Sequence, residues 1–152
     1  MTDLLKKINL FENLTEPELA KIEKIAIREA HAKDTIMFFE GDPGNRCYVI
    51  TKGEVRISKF IPNIGEEALA VLKAGDYFGE MALIDNFPRS AHAIANTDIE
   101  VLAITKTDLD KVLIMDRDLG YKLLWVFTRT LSKRLRDTNE KMAGFLAMSG
   151  GF

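Results

Sequence analysis

The spacing of apolar positions divides this chain into a helical head, a middle of short strands and a helical tail. Thr15-Glu16-Pro17-Glu18 has the form of a capping box with proline in the first turn, and Leu19, Ile22, Glu23 and Ala26 continue it as one stripe. This pattern predicts a helix over about residues 15–29. Across 34–104 the period shortens. Apolar or alternating runs of strand length are separated by Gly41-Asp42-Pro43-Gly44, Lys52-Gly53, Pro62-Asn63-Ile64-Gly65 and Ala74-Gly75-Asp76. Short strands between closely spaced turns predict a β jelly roll or barrel. Thr105 to Asp108 then cap a helix ending near Met115, and Asp116 begins a much longer one. The expected fold is mainly β with flanking helices in one domain: a helical segment over 1–33, a jelly roll over 34–104, and C-terminal helices over 105–148.

Within the long helix Leu124, Thr128, Leu131, Leu135, Thr138, Met142 and Phe145 recur at alternating steps of four and three, the spacing of a coiled-coil seam. Up to Leu131 this stripe is expected to pack back onto the barrel. Beyond it, where the helix is expected to leave the barrel, the stripe is expected to join two copies in a homodimer, with the threonines weakening the seam.

With 152 residues, 47% of them hydrophobic, the chain suffices for one cored domain. Lys and Arg total 21 against 23 Asp and Glu, a net charge of −2, which argues against a nucleic-acid-binding surface. The cluster Lys133, Arg134 and Arg136 reads as a solvated helix face. Cys47 is the single cysteine, so no internal disulfide forms, and its place in an apolar run reads as a small core residue. No long apolar run follows Met1 and no stretch approaches membrane-spanning length, so a cytoplasmic protein without a membrane partner is expected. Only the tail Ser149-Gly150-Gly151-Phe152 has loose composition.

The chemistry concentrates in 78–91. Gly79 permits close backbone approach to a ligand, and Glu80-Met81-Ala82-Leu83 favours a helical turn whose free N–H groups suit an anion. Arg89 offers a planar fork of donors matched to two phosphate oxygens, and Ser90 adds a neutral hydroxyl. A carboxylate beside a phosphate is repelled unless it points elsewhere, so Glu80 is expected to accept a hydrogen bond from a ribose hydroxyl. Each piece taken alone has an ordinary reading: a turn, a surface Arg89–Glu80 bridge, or a loop entering a strand.

The run Phe78-Gly79-Glu80-Met81-Ala82-Leu83 followed by Pro88-Arg89-Ser90-Ala91 resembles the phosphate-binding cassette of the cyclic nucleotide-binding domain family, whose branches include the catabolite activators and the kinase regulatory subunits. Leu10-Phe11-Glu12-Asn13-Leu14, Phe39-Glu40-Gly41-Asp42 and the segment 48–55, which resembles that family's first clear hairpin, extend the resemblance along the chain. The resemblance implies a non-catalytic cyclic nucleotide sensor with no cofactor. Glu80 would bind the ribose 2′-hydroxyl, Arg89 and Ser90 the cyclic phosphate, and Gly79, Met81 and Ala82 would offer main-chain contacts beside Phe78 and Ala91. It also implies a C-terminal helix closing over the base. With an insertion of one helical turn the base contacts fall on Thr138 and Asn139; without it they fall on Arg134 and Leu135. Ile57, Leu69 and Ala70 are candidates for the apolar wall of the base pocket.

In this family a serine after the cassette arginine occurs in the cAMP-binding catabolite activators, so cAMP is the expected ligand, with cGMP and a cyclic dinucleotide the alternatives. Ten residues follow Met142, too few for the DNA-binding domain of the activators. Direct DNA binding is not expected, and a downstream protein partner would receive the signal. The competing readings are a ligand-free interaction module of the same fold, which would be expected to have lost Glu80 or Arg89, and a metal-dependent enzyme. With only His31 and His92 the ligand set for the enzyme is thin. His31 is expected at a helix end, and a Ser90–His92 nucleophile pair lacks the elbow that would expose it.

Overall fold

The computed structural model of the chain describes residues 1–150. In chain order these form α1 (Thr2–Leu5), a 3-10 turn (Asn9–Phe11), α2 (Glu16–Ile25), β1 (Ile27–His31), β2 (Ile36–Phe38), β3 (Arg46–Lys52), β4 (Glu54–Ile61), β5 (Gly65–Lys73), β6 (Tyr77–Phe78), α3 (Met81–Asp85), β7 (His92–Ala95), β8 (Ile99–Thr105), α4 (Lys106–Met115) and α5 (Arg117–Ser149). The strands make two four-stranded antiparallel sheets, ordered β1-β8-β3-β6 and β2-β7-β4-β5. This is the jelly-roll architecture with flanking helices that the turn spacing predicts.

Alternation along the central strands explains the layering. On β3 and β8 the residues Tyr48, Ile50, Val101 and Ala103 face the second sheet, where they join Phe78, Ile99, Val55, Ala93 and Ala95 in the barrel interior. Their neighbours Cys47, Val49, Leu102 and Ile104 point the other way, into a core formed with the helices by Leu5, Phe11, Leu19, Ile22, Leu109, Leu119, Leu123 and Phe127. Both faces of these strands are therefore apolar, which is why Cys47 to Ile50 reads as a continuous buried run. Burial pushes the Cys47 thiol up to about 12, as its reading as an inert core residue requires.

The capping box forms as its sequence predicts: Glu18 N–H donates to Thr15 Oγ1 at 3.4 Å, and Thr15 N–H donates to Glu18 Oε1 at 2.8 Å. The helix nevertheless ends at Ile25 rather than at 29. Ile27 to His31 form a strand paired in register with Ala103 to Ile99 of β8, so strand structure begins well before 34. Closing a full ladder against a buried strand outweighs the good helix propensity of Arg28-Glu29-Ala30, because propensity differences are small per residue and tertiary pairing overrides them. His31 thus lies on a strand, its Nε2 paired with Glu29 Oε2 at 2.9 Å.

The segment 48–55 is not a hairpin. Gly53, at φ +86°, carries the chain from β3 in one sheet to β4 in the other, and β4 pairs instead with β5 and β7. The true hairpin is β4–β5, turning through Asn63 at φ +67° and Gly65 at φ +105°. Among the described residues no helix is long and apolar enough to cross a membrane.

Helix α5 lies closer to the barrel than its stripe suggests. The face that packs in its first half is Leu119, Leu123, Val126 and Phe127, not the expected Leu124 and Thr128, which are exposed. Further along, Lys141 Nζ donates to Leu69 O on β5 at 3.2 Å, so the helix follows the barrel well past Leu131. The predicted seam occupies the adjacent face, with Leu135 61% and Phe145 68% exposed.

Candidate functional site

The cassette is built by a strand, a left-handed glycine and a short helix. After β6, Gly79 takes φ +83°, a conformation that side-chain-bearing residues rarely adopt, and Glu80 begins the turn into α3. Asn86, also left-handed at φ 60°, ends that helix and sends the chain toward Arg89. The Arg89 main chain is clamped by the turn after β2: Gly41 N–H donates to Arg89 O at 2.8 Å, and Arg89 N–H donates to Asp42 O at 2.8 Å. This gives a structural role to the Phe39-Glu40-Gly41-Asp42 segment, which the sequence marked both as leading into a turn and by resemblance.

Arg89 is 6% exposed. Its Nη1 donates to Gly79 O at 2.9 Å and its Nη2 to Arg46 O at 2.7 Å, while Nε is buried without a partner. A guanidinium has five N–H donors, so these two bonds leave donors available to an anion. Burial lowers its pKa, with Tyr48, Cys47, Asp42 and Glu80 acting in the other direction; an arginine nonetheless stays protonated. The glycine at 79 is what admits it: a Cβ there would lie 2.7 Å from Arg89 Nη1 and 3.1 Å from Arg46 O.

Glu80 is 1% exposed and pairs not with Arg89 but with Arg134 of α5. Arg134 also donates through Nη2 to Tyr77 O at 3.0 Å. Burial pushes the Glu80 carboxyl above the ordinary glutamate range, and the Arg134 guanidinium pulls the other way. The basic cluster on α5 is therefore not simply a solvated face. Arg134 turns into the site and Lys133 borders it, whereas Arg136 remains exposed.

These groups border one cavity of about 630 Å³, within the roughly 300–1,000 Å³ usual for small-molecule sites. Of the residues predicted from sequence, Phe78, Gly79, Glu80, Met81, Arg89, Ser90 and Ala91 line it, as do Ile57, Leu69, Ala70, Arg134 and Thr138. Ala82 lies in the first turn of α3, and Asn139 is exposed on α5 without bordering the cavity. The helical register that places Arg134 on the cavity brings round Thr138 one turn later and turns Leu135 and Asn139 away. Sequence reasoning missed Phe38, Val71, Leu72, Thr130, Lys133 and Asp137. For Thr130 and Asp137, spacing by four and three from Arg134 was the available signal; Lys133 in turn stands three after Thr130 and four before Asp137.

Neither histidine borders the cavity. His92 Nδ1 accepts from the Glu40 N–H at 3.0 Å, and Ser90 lies just before β7 with its hydroxyl 4.0 Å from Met81 Sδ. No cluster of three or more candidate metal ligands occurs among the described residues.

The comparisons with known proteins bear on the family and the fold. Residues 28–116, more than half of the chain, match the family model of the cyclic nucleotide-binding domain. The chain is 27% identical over 146 residues to a CRP-like cAMP-activated global transcriptional regulator of Mycobacterium tuberculosis, covering 96% of this chain and 63% of that protein. It is 34% identical over 144 residues to cGMP-dependent protein kinase, isozyme 1, of Drosophila melanogaster, covering 93% of this chain and 17% of the kinase. It thus spans less than two thirds of either relative. A cyclic nucleotide-binding domain from Methylobacillus flagellatus superposes with a TM-score of 0.83 at 30% identity, covering 94% of this chain and 80% of that one. With family match, fold and cassette in agreement, the chain belongs to the cyclic nucleotide-binding domain family.

Proposed function

We propose that the chain is a regulatory sensor that binds a cyclic nucleotide, cAMP in preference to cGMP, and signals through α5. The observation that carries this reading is the presence, on one cavity, of a buried carboxylate at Glu80, held by Arg134, and a buried guanidinium at Arg89 whose Nε has no partner. A buried donor without an acceptor costs about 1–3 kcal/mol, and a phosphate oxygen would remove that cost. Glu80 would accept from the ribose 2′-hydroxyl, and Ile57, Leu69 and Ala70 would pack on the base. Preference for cAMP rests on Ser90 and on the cAMP-activated regulator; the cGMP-dependent kinase among the relatives keeps cGMP as the alternative. Isothermal titration with cAMP and cGMP in parallel tests the reading. Saturable binding with cAMP tighter is the expected result, and no heat with either nucleotide would leave a ligand-free module of the same fold as the explanation.

Signalling would be a population shift. Thr130, Lys133, Arg134, Asp137 and Thr138 border the cavity from α5, so a ligand filling it would favour the state in which the helix packs there. Arg134, joined to Glu80 and Tyr77 O, would be the link between cassette and helix. The exposed stripe through Leu135, Met142 and Phe145 would join two copies. Hydrogen exchange measures both effects. Amides of 130–141 should gain protection with cAMP, and Arg134→Ala should reduce that gain at least severalfold. Those of 131–146 should gain protection as protein concentration rises. Equal protection of 116–146 with and without nucleotide would refute the helix mechanism, and no concentration dependence would refute the dimer.

A further inference from the structure

We propose that the ring of Phe38 is a positioning platform that sets the plane of the Arg89 guanidinium, and hence the direction in which its free N–H groups meet the ligand phosphate. This rests on the cyclic nucleotide reading of the cavity. The two bonds from Arg89 to Gly79 O and Arg46 O hold both terminal nitrogens. Those two contacts lie along one line, so rocking of the plane about it is limited only by the torsions of the flexible arginine stem. Such rocking would swing the Nε–H, the donor left without a partner, out of any fixed direction. A contact on the face of the plane removes that freedom. Phe38 supplies it, with Arg89 Cζ 4.1 Å from its ring centroid, where the electron-rich face also attracts the cation.

The platform is itself held. Phe38 has ring neighbours in Phe78 at 6.0 Å and Tyr48 at 6.4 Å, and those two stack on each other at 5.1 Å. Its strand pairs with β7 through Ala93, after a register shift between Ile36 and Phe38. The residues that follow, Gly41 and Asp42, bond the Arg89 main chain from both sides. One short segment thus positions Arg89 at its backbone and at its guanidinium. Leucine at 38 would fill much of the same space while lacking both the flat face and the ring quadrupole. Preorganised, low-mobility donors bind an anion more tightly than the same donors left to be ordered by it.

The test combines titration with a spectroscopic readout. Phe38→Leu should weaken cAMP binding about tenfold, whereas Phe38→Tyr and Phe38→Trp should stay within about threefold of the parent chain. In an Arg89→Ala background, followed by NMR titration at millimolar cAMP, Phe38→Leu should cost less than about twofold, because its effect passes through the arginine. In the unliganded protein the Arg89 Nε–H resonance should carry a ring-current shift that Phe38→Leu removes. Should the leucine variant melt early, the tyrosine and tryptophan variants and this resonance decide the matter. Unchanged affinity in Phe38→Leu, an equal loss in the Arg89→Ala background, or an Arg89 resonance unmoved by Phe38→Leu would each overturn the platform. Failure of the parent chain to bind either nucleotide would instead refute the proposed ligand, and the resonance would still test Phe38.

Discussion

Replacing Arg89 with alanine should weaken cyclic nucleotide binding at least about a hundredfold, the largest functional loss expected from one substitution in the chain. The phosphate would lose a charge-assisted pair from a guanidinium that is 6% exposed, a loss of about 3–5 kcal/mol for a desolvated partner. Arg89→Lys is the more informative companion. It keeps the charge but cannot hold Gly79 O and Arg46 O while presenting a planar face to Phe38, contacts that the guanidinium makes together. It should cost on the order of 2 kcal/mol, roughly thirtyfold in affinity. Titration calorimetry reads both variants. Parent-like affinity in the lysine variant would show that the phosphate is held elsewhere.

Gly53→Ala should produce the largest loss of stability. The position is left-handed at φ +86°, and an added Cβ would lie 2.3 Å from Asp98 O, 2.7 Å from Thr97 Oγ1 and 2.9 Å from Ile99 Cγ2. Its closest neighbour is main chain entering β8, at the point where β3 passes into the second sheet, so relief requires the two sheets to shift together. Backbone strain of about 1–3 kcal/mol and an overpacking cost of similar size combine to roughly 3–5 kcal/mol, a large share of a typical domain's stability. Gly41→Ala is the control: its φ is +88°, but nothing lies within 4 Å of the added Cβ. It should show the backbone cost alone, about 1 kcal/mol. Urea midpoints compare the two, and equal midpoints would mean that the corner at Gly53 yields without cost.

What was legible in the sequence is what local chemistry decides. The capping box at Thr15 and Glu18, the caps at Thr105 and Asp116, and the turn spacing that marks a jelly roll all act within a few residues, and each appears in the structure. The cassette is of the same kind. Gly79, Glu80 and Arg89 lie within eleven consecutive positions, so their types and order carry its geometry with little help from the rest of the fold.

Tertiary structure decided the remainder, because there the competing local choices are nearly equal in energy. Arg28 and Glu29 favour helix by only a small energy per residue, and pairing with the buried β8 settles residues 27–29 as strand. The segment 48–55 resembles a hairpin in sequence, and only the second sheet, receiving β4 beside β7, makes it a corner. On α5 apolar spacing runs along two adjacent faces, so the pattern alone does not say which one packs. The barrel takes Leu119, Leu123 and Phe127, and that rotation carries Arg134 onto Glu80 and leaves Leu135 in solvent. Glu80 and Arg134 are 54 residues apart, and Phe38 and Arg89 are 51 apart. Local chemistry in the sequence marked the residues of the proposed anion site, but contacts at such separations exist only once two sheets and a helix have packed, and they set the direction in which Glu80 and Arg89 face.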